Sequence, residues 1–192
     1  MINNNLILNV YEKKTLKSKI STQLLYGEKF SIIRKYKDCL KIKSSYDKYI
    51  GYISKKKYLT KINPTHKVSV LKADLYSKPN KKFKINKYLS FGSCIEIIDN
   101  KNGFYKFNKY WLKKENVLKF KDKIKLFDKI KIFKDVKYKW GGNSYKGIDC
   151  SALVQIFYKF NNKYCPRDTK DQIKFFKKKN PFSIYGCSFC VS

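Results

Sequence analysis

Cys150 is the residue of this sequence that is best placed to do chemistry. A glycine-rich turn, residues 139–147, comes before it, and Asp149 and Ser151 flank it. Apolar residues at i, i+3, i+4 and i+7 follow from Leu153 onward, so we predict an α-helix that begins at Cys150. A thiol in the first helical turn lies beside unpaired backbone N–H groups and the positive end of the helix dipole, which favour the thiolate. The pattern predicts a nucleophilic cysteine; a buried helical cysteine after an ordinary turn is the alternative.

The elements that would hold this cysteine in place lie on both sides of it. The glycines of the turn permit a sharp bend or a close approach of a ligand to the backbone. Residues 161–162, both asparagines, mark the end of the first helix. Thr169 and Gln172 have the spacing of a capping box for a second helix, on which Ile173 and Phe176 form an apolar side.

The first two thirds of the chain contain a weak internal repeat, offset by about 65 residues. Each copy has a glycine, Gly27 or Gly92, followed by short segments in which apolar and polar residues alternate. Short alternating segments separated by turn residues favour small antiparallel barrels. The predicted strands cover residues 28–33, 39–43, 49–53, 93–98, 104–107 and 110–112.

The segment around Cys150 resembles the front half of an NlpC/P60 cysteine peptidase domain, and the repeat resembles tandem bacterial SH3-like domains. The peptidase motif consists of Tyr138, residues 140–142, the Asp-Cys-Ser triplet, residues 153–155 and residues 167–169, in that order. The resemblance implies an α+β fold: two small SH3-like β-barrels followed by an incomplete papain-like domain, mainly its N-terminal helices. The domain boundaries predicted are 1–62, 63–120 and 121–192. A helix is also expected over residues 119–131, because Ile124, Phe127 and Ile130 have helical spacing.

This resemblance implies a cysteine-type peptidase that cleaves γ-D-glutamyl bonds in peptidoglycan stem peptides during murein peptide recycling, with Cys150 as the nucleophile. Asp149 would attract the free amine of the substrate, and Arg167 would bind a carboxylate through its planar fork. Glu28 and Tyr49 are the candidates for an acidic and phenolic pair on the first barrel; a turn residue and a barrel aromatic are the alternative. The full set of substrate-binding candidates is Tyr138, Asp149, Ser151, Arg167, Asp168, Thr169, Glu28 and Tyr49.

The sequence departs from the resemblance at the catalytic base. Its one histidine, His66, falls between the two predicted barrels, where we expect a solvated linker residue. Residues 180–192 contain Cys187 and Cys190 but neither an acid nor a histidine, and they look like an interrupted or truncated end. We therefore expect an inactive or nearly inactive chain, since the thiol has no partner to protonate the leaving amine. A lone CxxC predicts neither a metal site nor a cofactor.

The charge and the N-terminus bear on partners and location. The formal net charge is +31, but the basic residues are almost all lysine and are spread along the chain, with Arg34 and Arg167 the two arginines. Diffuse lysine predicts no specific nucleic acid partner, although a basic nucleic-acid-binding protein is one competing hypothesis. Residues 1–10 do not form a signal peptide and no apolar run is long enough to cross a membrane, so we expect a cytoplasmic protein that binds a peptidoglycan-derived peptide, with no membrane partner and an open oligomeric state. The other competing hypothesis is a non-catalytic cell-wall peptide-binding module.

Overall fold

The structure is a computed structural model that describes residues 1–179. It is mostly β, with two α-helices that follow the strands. The predictions made for the final segment, including Cys187 and Cys190, lie outside the described residues. None of the helices in residues 1–179 is long and apolar enough to cross a bilayer.

The first β unit, residues 1–59, is a five-stranded antiparallel sheet with the order β2-β1-β5-β4-β3. Alternating side chains fill its interior, and Ile2 closes the sheet through bridges to Lys29 and Leu59. The core residues are Leu8, Val10, Leu24, Phe30, Leu40, Ile42, Ile53 and Tyr58. The strands are β1 Ile7–Tyr11, β2 Ile20–Leu25, β3 Phe30–Lys35, β4 Cys39–Ser44 and β5 Ile50–Ser54.

The second β unit, residues 66–119, contains two antiparallel sheets with the orders β10-β11-β12-β7-β8 and β13-β6-β9. Tyr26 of the first unit is buried in its core, where the ring lies edge-on to Phe107 at 5.4 Å between centroids. The strands are β6 His66–Val68, β7 Lys72–Tyr76, β8 Lys84–Ser90, β9 Cys94–Ile95, β10 Asp99–Lys101, β11 Phe104–Phe107, β12 Tyr110–Lys113 and β13 Val117–Lys119, with 3-10 turns at Lys81–Phe83 and Lys114–Asn116.

The predicted strands are confirmed at 39–43, 49–53, 104–107 and 110–112 to within one or two residues. The strand predicted at 93–98 is shorter, because only Cys94–Ile95 pairs, with β6. His66 is not a solvated linker residue. It begins β6, is half-buried, and its ring lies 4.9 Å from that of Tyr105.

The helix predicted over residues 119–131 is wrong. This segment is irregular up to a 3-10 turn at Ile130–Phe133, and Phe127 has a left-handed φ of 64°. Lysines at i, i+4 spacing, such as Lys121 and Lys125, repel one another in a helix. The apolar side chains of the segment instead pack individually against the helix that follows.

The two helices are α1, Cys150–Phe160, and α2, Thr169–Lys179. A short hairpin, β14 Asn143–Ser144 and β15 Gly147–Ile148, leads into α1. The α1 helix begins and ends where the sequence predicts, and its apolar side is buried against Leu25 of the first unit and Phe91 of the second. The helix that carries the candidate nucleophile is thus packed against both β units.

Candidate active site

Cys150 is exposed at the first position of α1. Its Sγ lies 3.8 Å from the Oγ1 of Thr169, the first residue of α2. The backbone N–H of Cys150 precedes the first intrahelical hydrogen bond, so helix geometry gives it no partner of its own. The helix start thus carries a thiol and a backbone donor on the same residue, which are two groups that an acyl-transfer site requires.

Asp149 fixes the start of the helix. Its Oδ1 accepts the N–H of Ala152 at 2.8 Å, which is an N-cap, and its Oδ2 accepts the N–H of Gly141 at 3.0 Å. Arg167 donates from Nη1 to Oδ1 at 3.0 Å and from Nη2 to Oδ2 at 2.6 Å, which makes a bidentate pair. Ser151 also donates to Oδ1, at 3.1 Å. One carboxylate thus joins the glycine turn, the helix and the α1–α2 connection.

The sequence predicts that Asp149 and Arg167 bind the substrate. In the structure, their polar atoms are hydrogen-bonded to each other. Arg167 is 4% exposed. Its remaining bonds go from Nη1 to the Oγ of Ser151 at 2.8 Å and from Nε to the Oγ1 of Thr22 at 2.7 Å. Ser151 is buried as well. These three side chains are buried and hydrogen-bonded to one another around the start of the helix that carries Cys150.

Tyr49 and Asp168 are both half-buried, and their side chains influence each other electrostatically. Burial raises the pKa of the Tyr49 hydroxyl, and the nearby carboxylate of Asp168 raises it further, while a hydrogen bond with Ser21 lowers it. Burial likewise raises the pKa of Asp168, against the lowering effect of Arg167. Glu12 is a second acid whose charge reaches Tyr49. The charges of two carboxylates from different parts of the chain thus act on the same phenol.

Glu28 does not join this group. Its Oε1 forms an ion pair with Lys159 near the far end of α1, and its Oε2 accepts the N–H of Leu25 at 3.1 Å. On the first β unit, the acid whose charge reaches Tyr49 is Glu12, which sequence reasoning missed. Tyr11 pairs with Tyr52 across β1 and β5, so the next residue along β1 approaches the start of β5. The signal that places Glu12 near Tyr49 is this strand register, which is a feature of the tertiary structure.

Two exposed aromatic side chains lie on the turn before the nucleophile. Tyr138, a predicted site residue, bridges to Ile148, two residues before Cys150, and is 66% exposed. Trp140, which was not among the candidates, is 65% exposed. Large apolar groups left in solvent beside a reactive thiol are suited to contact a bound peptide.

His66 lies away from Cys150. It lines a cleft of about 1080 Å³ together with Lys159, which is in the last turn of α1. Nine residues separate Lys159 from Cys150, and at 1.5 Å per residue the two helix ends are about 14 Å apart. Burial, followed by the charge of Lys119, lowers the pKa of His66. The one imidazole of the sequence is therefore at the wrong end of the helix to act as a base for this thiol.

Within residues 1–179, no cluster of three or more His, Cys, Asp or Glu side chains could hold a metal ion. The chemistry available at Cys150 in this part of the chain is that of a thiol, hydroxyls, carboxylates and backbone amides.

Comparison with known proteins agrees with this arrangement. Residues 135–184 match the NlpC/P60 family, and residues 10–57 match the bacterial dipeptidyl-peptidase Sh3 domain. The chain contains an NlpC/P60 domain and a bacterial SH3 domain. The first of these includes Cys150 and the α1–α2 connection, and the second coincides with the first β unit.

Two proteins that are similar to this chain come from bacilli. A γ-D-glutamyl-L-lysine dipeptidyl-peptidase of Bacillus subtilis (strain 168) is 27% identical, over 81% of this chain and 58% of the relative. The crystal structure of an NlpC/P60 family protein from Bacillus cereus ATCC 10987 superposes with a TM-score of 0.69 and 22% identity, over 81% of this chain and 59% of that protein. The chain thus spans about three fifths of the length of these relatives, and the second likeness is one of fold.

The NlpC/P60 domain is joined to the SH3 domain through polar side chains as well as apolar ones. Thr22 of β2 reaches Arg167, and Asp47 accepts a hydrogen bond from Gln155 of α1 at 3.0 Å. Tyr46 donates to the carbonyl of Lys163 at 2.7 Å. Sequence reasoning missed these contacts because Thr22 in a strand, Tyr46 in a turn and Gln155 in a helix carry no signal that marks an interface.

Proposed function

We propose that this chain carries the nucleophile side of a cysteine peptidase that acts on γ-D-glutamyl peptides derived from peptidoglycan. The observation that carries the proposal is the exposed Sγ of Cys150 at the start of α1, held there by the buried Asp149–Arg167 pair. The thiolate would attack the amide carbonyl carbon and form a thioester. The carbon–nitrogen bond would then break, and the departing amine would take up a proton.

Tyr49, Asp168 and Glu12 support a substrate with a free N-terminal amine. Two carboxylates whose charges act on one phenol would attract a cation such as a free amine. The Bacillus subtilis relative is named a dipeptidyl-peptidase, and an enzyme that releases dipeptides has to recognise a free N-terminus. We propose the same substrate class here, with Tyr138 and Thr169 lining the groove around the thiol.

Asp149, Ser151 and Arg167 are proposed to position the nucleophile and not to contact the substrate. Their polar atoms are engaged with one another and with Gly141, Thr22 and the first turn of α1. A substrate carboxylate would have to break the Asp149–Arg167 pair to reach the guanidinium, and breaking a buried pair costs about 3–5 kcal/mol.

We also propose that the 192-residue polypeptide by itself does not turn over its substrate. Its one imidazole lies near the opposite end of α1 from Cys150. A thiolate without an acid–base partner can be alkylated or acylated, but it cannot protonate the leaving amine. Loss of one member of such a catalytic unit costs several orders of magnitude in rate.

The test separates nucleophilicity from turnover. An electrophilic analogue, the chloromethyl ketone of L-alanyl-γ-D-glutamate, should alkylate Cys150, and excess L-alanyl-γ-D-glutamate should slow that alkylation. The N-acetylated analogue should react slowly, because it lacks the amine that Glu12 and Asp168 would attract. Mass spectrometry of the peptide that contains Cys150 follows the reaction, with Cys150→Ser as the control.

Three results would count against the proposal. Equal rates of alkylation by the free and the N-acetylated analogue would contradict the proposed subsite for the amine. Peptide binding without alkylation of Cys150 would favour the non-catalytic binding module. Hydrolysis of L-alanyl-γ-D-glutamyl-L-lysine by the purified chain, abolished by Cys150→Ala, would refute the predicted inactivity.

A further inference from the structure

Strand β2 of the first unit runs against the turn that presents Cys150. The carbonyl oxygen of Ile20 lies where a side chain on Gly141 would be, since an added Cβ would come within 2.3 Å of it. Gly141 also has a left-handed φ of 67°. No other residue type fits this turn without moving β2 or the turn itself. The backbone of the glycine turn is thus in direct contact with the strand.

Gln23 is the second point of contact, and it is polar. Its Oε1 accepts the N–H of Asn143 at 2.9 Å and the Oγ of Ser144 at 3.1 Å. Its Nε2 donates to the Oδ1 of Asn9 on the neighbouring strand at 2.9 Å, which fixes the orientation of the amide. Gln23 is 3% exposed, and both of its partners on the hairpin are buried. A buried amide in this position holds the hairpin at one register.

Thr22 is the third point of contact. Its Oγ1 accepts the Nε–H of Arg167 at 2.7 Å. Arg167 binds both oxygens of Asp149, and Asp149 in turn accepts the N–H groups of Gly141 and Ala152. A continuous set of hydrogen bonds therefore leads from β2 to the N-cap of the helix that begins with Cys150.

We propose that β2 is a positioning element of the catalytic site, with Gln23 as its principal positioning residue. Gln23 holds the β14–β15 hairpin from one side, and Thr22 holds Arg167 from the other, so that Asp149 caps α1 in one geometry. The proposal rests on the proposed function, in which Cys150 is the nucleophile. It adds that the first unit positions Cys150, in addition to any contact that this unit makes with the substrate.

The geometry of the cap decides how well the thiolate is stabilised. The N–H groups and the dipole at a helix N-terminus favour an anion only within the first turn and only when the turn is formed. Removing the Oε1 acceptor of Gln23 leaves two buried donors, on Asn143 and Ser144, without a partner, and the hairpin has to shift to regain water or another acceptor. A shifted hairpin moves Gly141 relative to Asp149 and loosens the cap.

The test measures the rate at which iodoacetamide alkylates Cys150 in the intact chain, across about pH 6 to pH 10, by mass spectrometry of the peptide that contains it. Gln23→Leu keeps the side-chain size and removes the amide. We expect the rate at pH 7 to fall about two- to fivefold, the range given by loss of a helix-terminus interaction, and the pH profile to move to higher pH. Thr22→Val, which acts through Arg167, should move the profile in the same direction.

Tyr46→Phe is the matched control. It removes the hydrogen bond to the carbonyl of Lys163, in the same interface but away from the hairpin, and should lower the melting temperature without moving the profile. If Gln23→Leu does not fold, the alkylation profile of Thr22→Val alone tests the proposal. Profiles that coincide with that of Tyr46→Phe would overturn the positioning role. If Cys150 of the wild-type protein reacts no faster than in the urea-unfolded chain, the proposed nucleophile itself fails, which is a different result.

Discussion

The two ends of α1 meet buried charges of opposite sign, and they use them differently. At the N-terminus, Asp149 caps the helix and its charge is balanced by Arg167. At the C-terminus, Nζ of Lys67 donates to the carbonyl of Phe160, and Lys159 pairs with Glu28. Each charge has the sign that the helix dipole favours at that end. Only the N-terminal end, however, leaves a reactive group in solvent.

The two cysteines near these ends show what the difference means chemically. Cys150 is exposed at the N-terminus. Cys94 lies near the other end, beside Lys67 and Lys159, where burial followed by the charge of Glu28 raises the pKa of its thiol to about 12. The thiol at one end of the helix is therefore exposed, burial keeps the thiol at the other end protonated, and the comparison can be tested at each end.

The largest expected effect is at the N-terminal end. Arg167→Met leaves Asp149 buried without its counter-ion, so the free energy of unfolding should fall by about 3–5 kcal/mol. Urea denaturation followed by circular dichroism measures the change. Arg34→Met is the matched control, because Arg34 is exposed and its guanidinium lies over the ring face of Tyr36; this change should cost about 1 kcal/mol or less. Equal losses in the two variants would mean that the buried pair does not hold this end together.

The C-terminal end should respond less. Lys67→Ala removes the donor to the carbonyl of Phe160 and leaves an empty space beside the aromatic ring of Phe160. The free energy of unfolding should therefore fall by about 1–3 kcal/mol. Lys67→Met fills the same space without a charge. Burial lowers the pKa of Lys67, so holding the protonated amine there is unfavourable, and we expect the methionine variant to recover most of the loss. A methionine variant as unstable as the alanine variant would contradict this account.

The smallest effect is a pH dependence at Cys94. The folded thiol has a pKa of about 12 against an ordinary value of 9.0, so between these values the folded chain holds a proton that the unfolded chain has released. The stabilising contribution is complete below pH 9 and is lost as the pH rises toward 12. Cys94→Ala should therefore lose less stability than the wild type between pH 8 and pH 10 in urea denaturation. Parallel losses would show that this thiol ionises as readily in the folded chain as in the unfolded one.

The sequence predicts the local elements around Cys150 well, because each depends on neighbours in the chain. The start of α1 follows from an acid, a cysteine and an apolar period, and its end follows from Asn161 and Asn162. The same reasoning fails at residues 119–131, where Phe127 adopts a left-handed conformation so that its ring packs on α1. An apolar period alone does not distinguish a helix from an irregular segment that packs its side chains one at a time.

The partners of charged side chains could not be predicted. Asp149 and Arg167 are 18 residues apart, and either could have met a substrate; only the fold shows that they meet each other. The resemblance implies Glu28 as the acid of the first barrel, whereas the approach of Glu12 to Tyr49 depends on how β1 pairs with β5. The capping box predicted for Thr169 and Gln172 does not form, because the side-chain amide of Gln172 donates to the carbonyls of Ser151 and Pro166 instead.

Tyr26 has a consequence for how the two β units move. It belongs to the chain segment of the first unit, yet its ring is part of the interior of the second. Separation of the two units would expose this buried ring to water. Residues 60–65 therefore connect two units that are already packed against each other, and they do not act as a hinge. A ligand bound between these units would thus contact a rigid surface, and the units would not close around it.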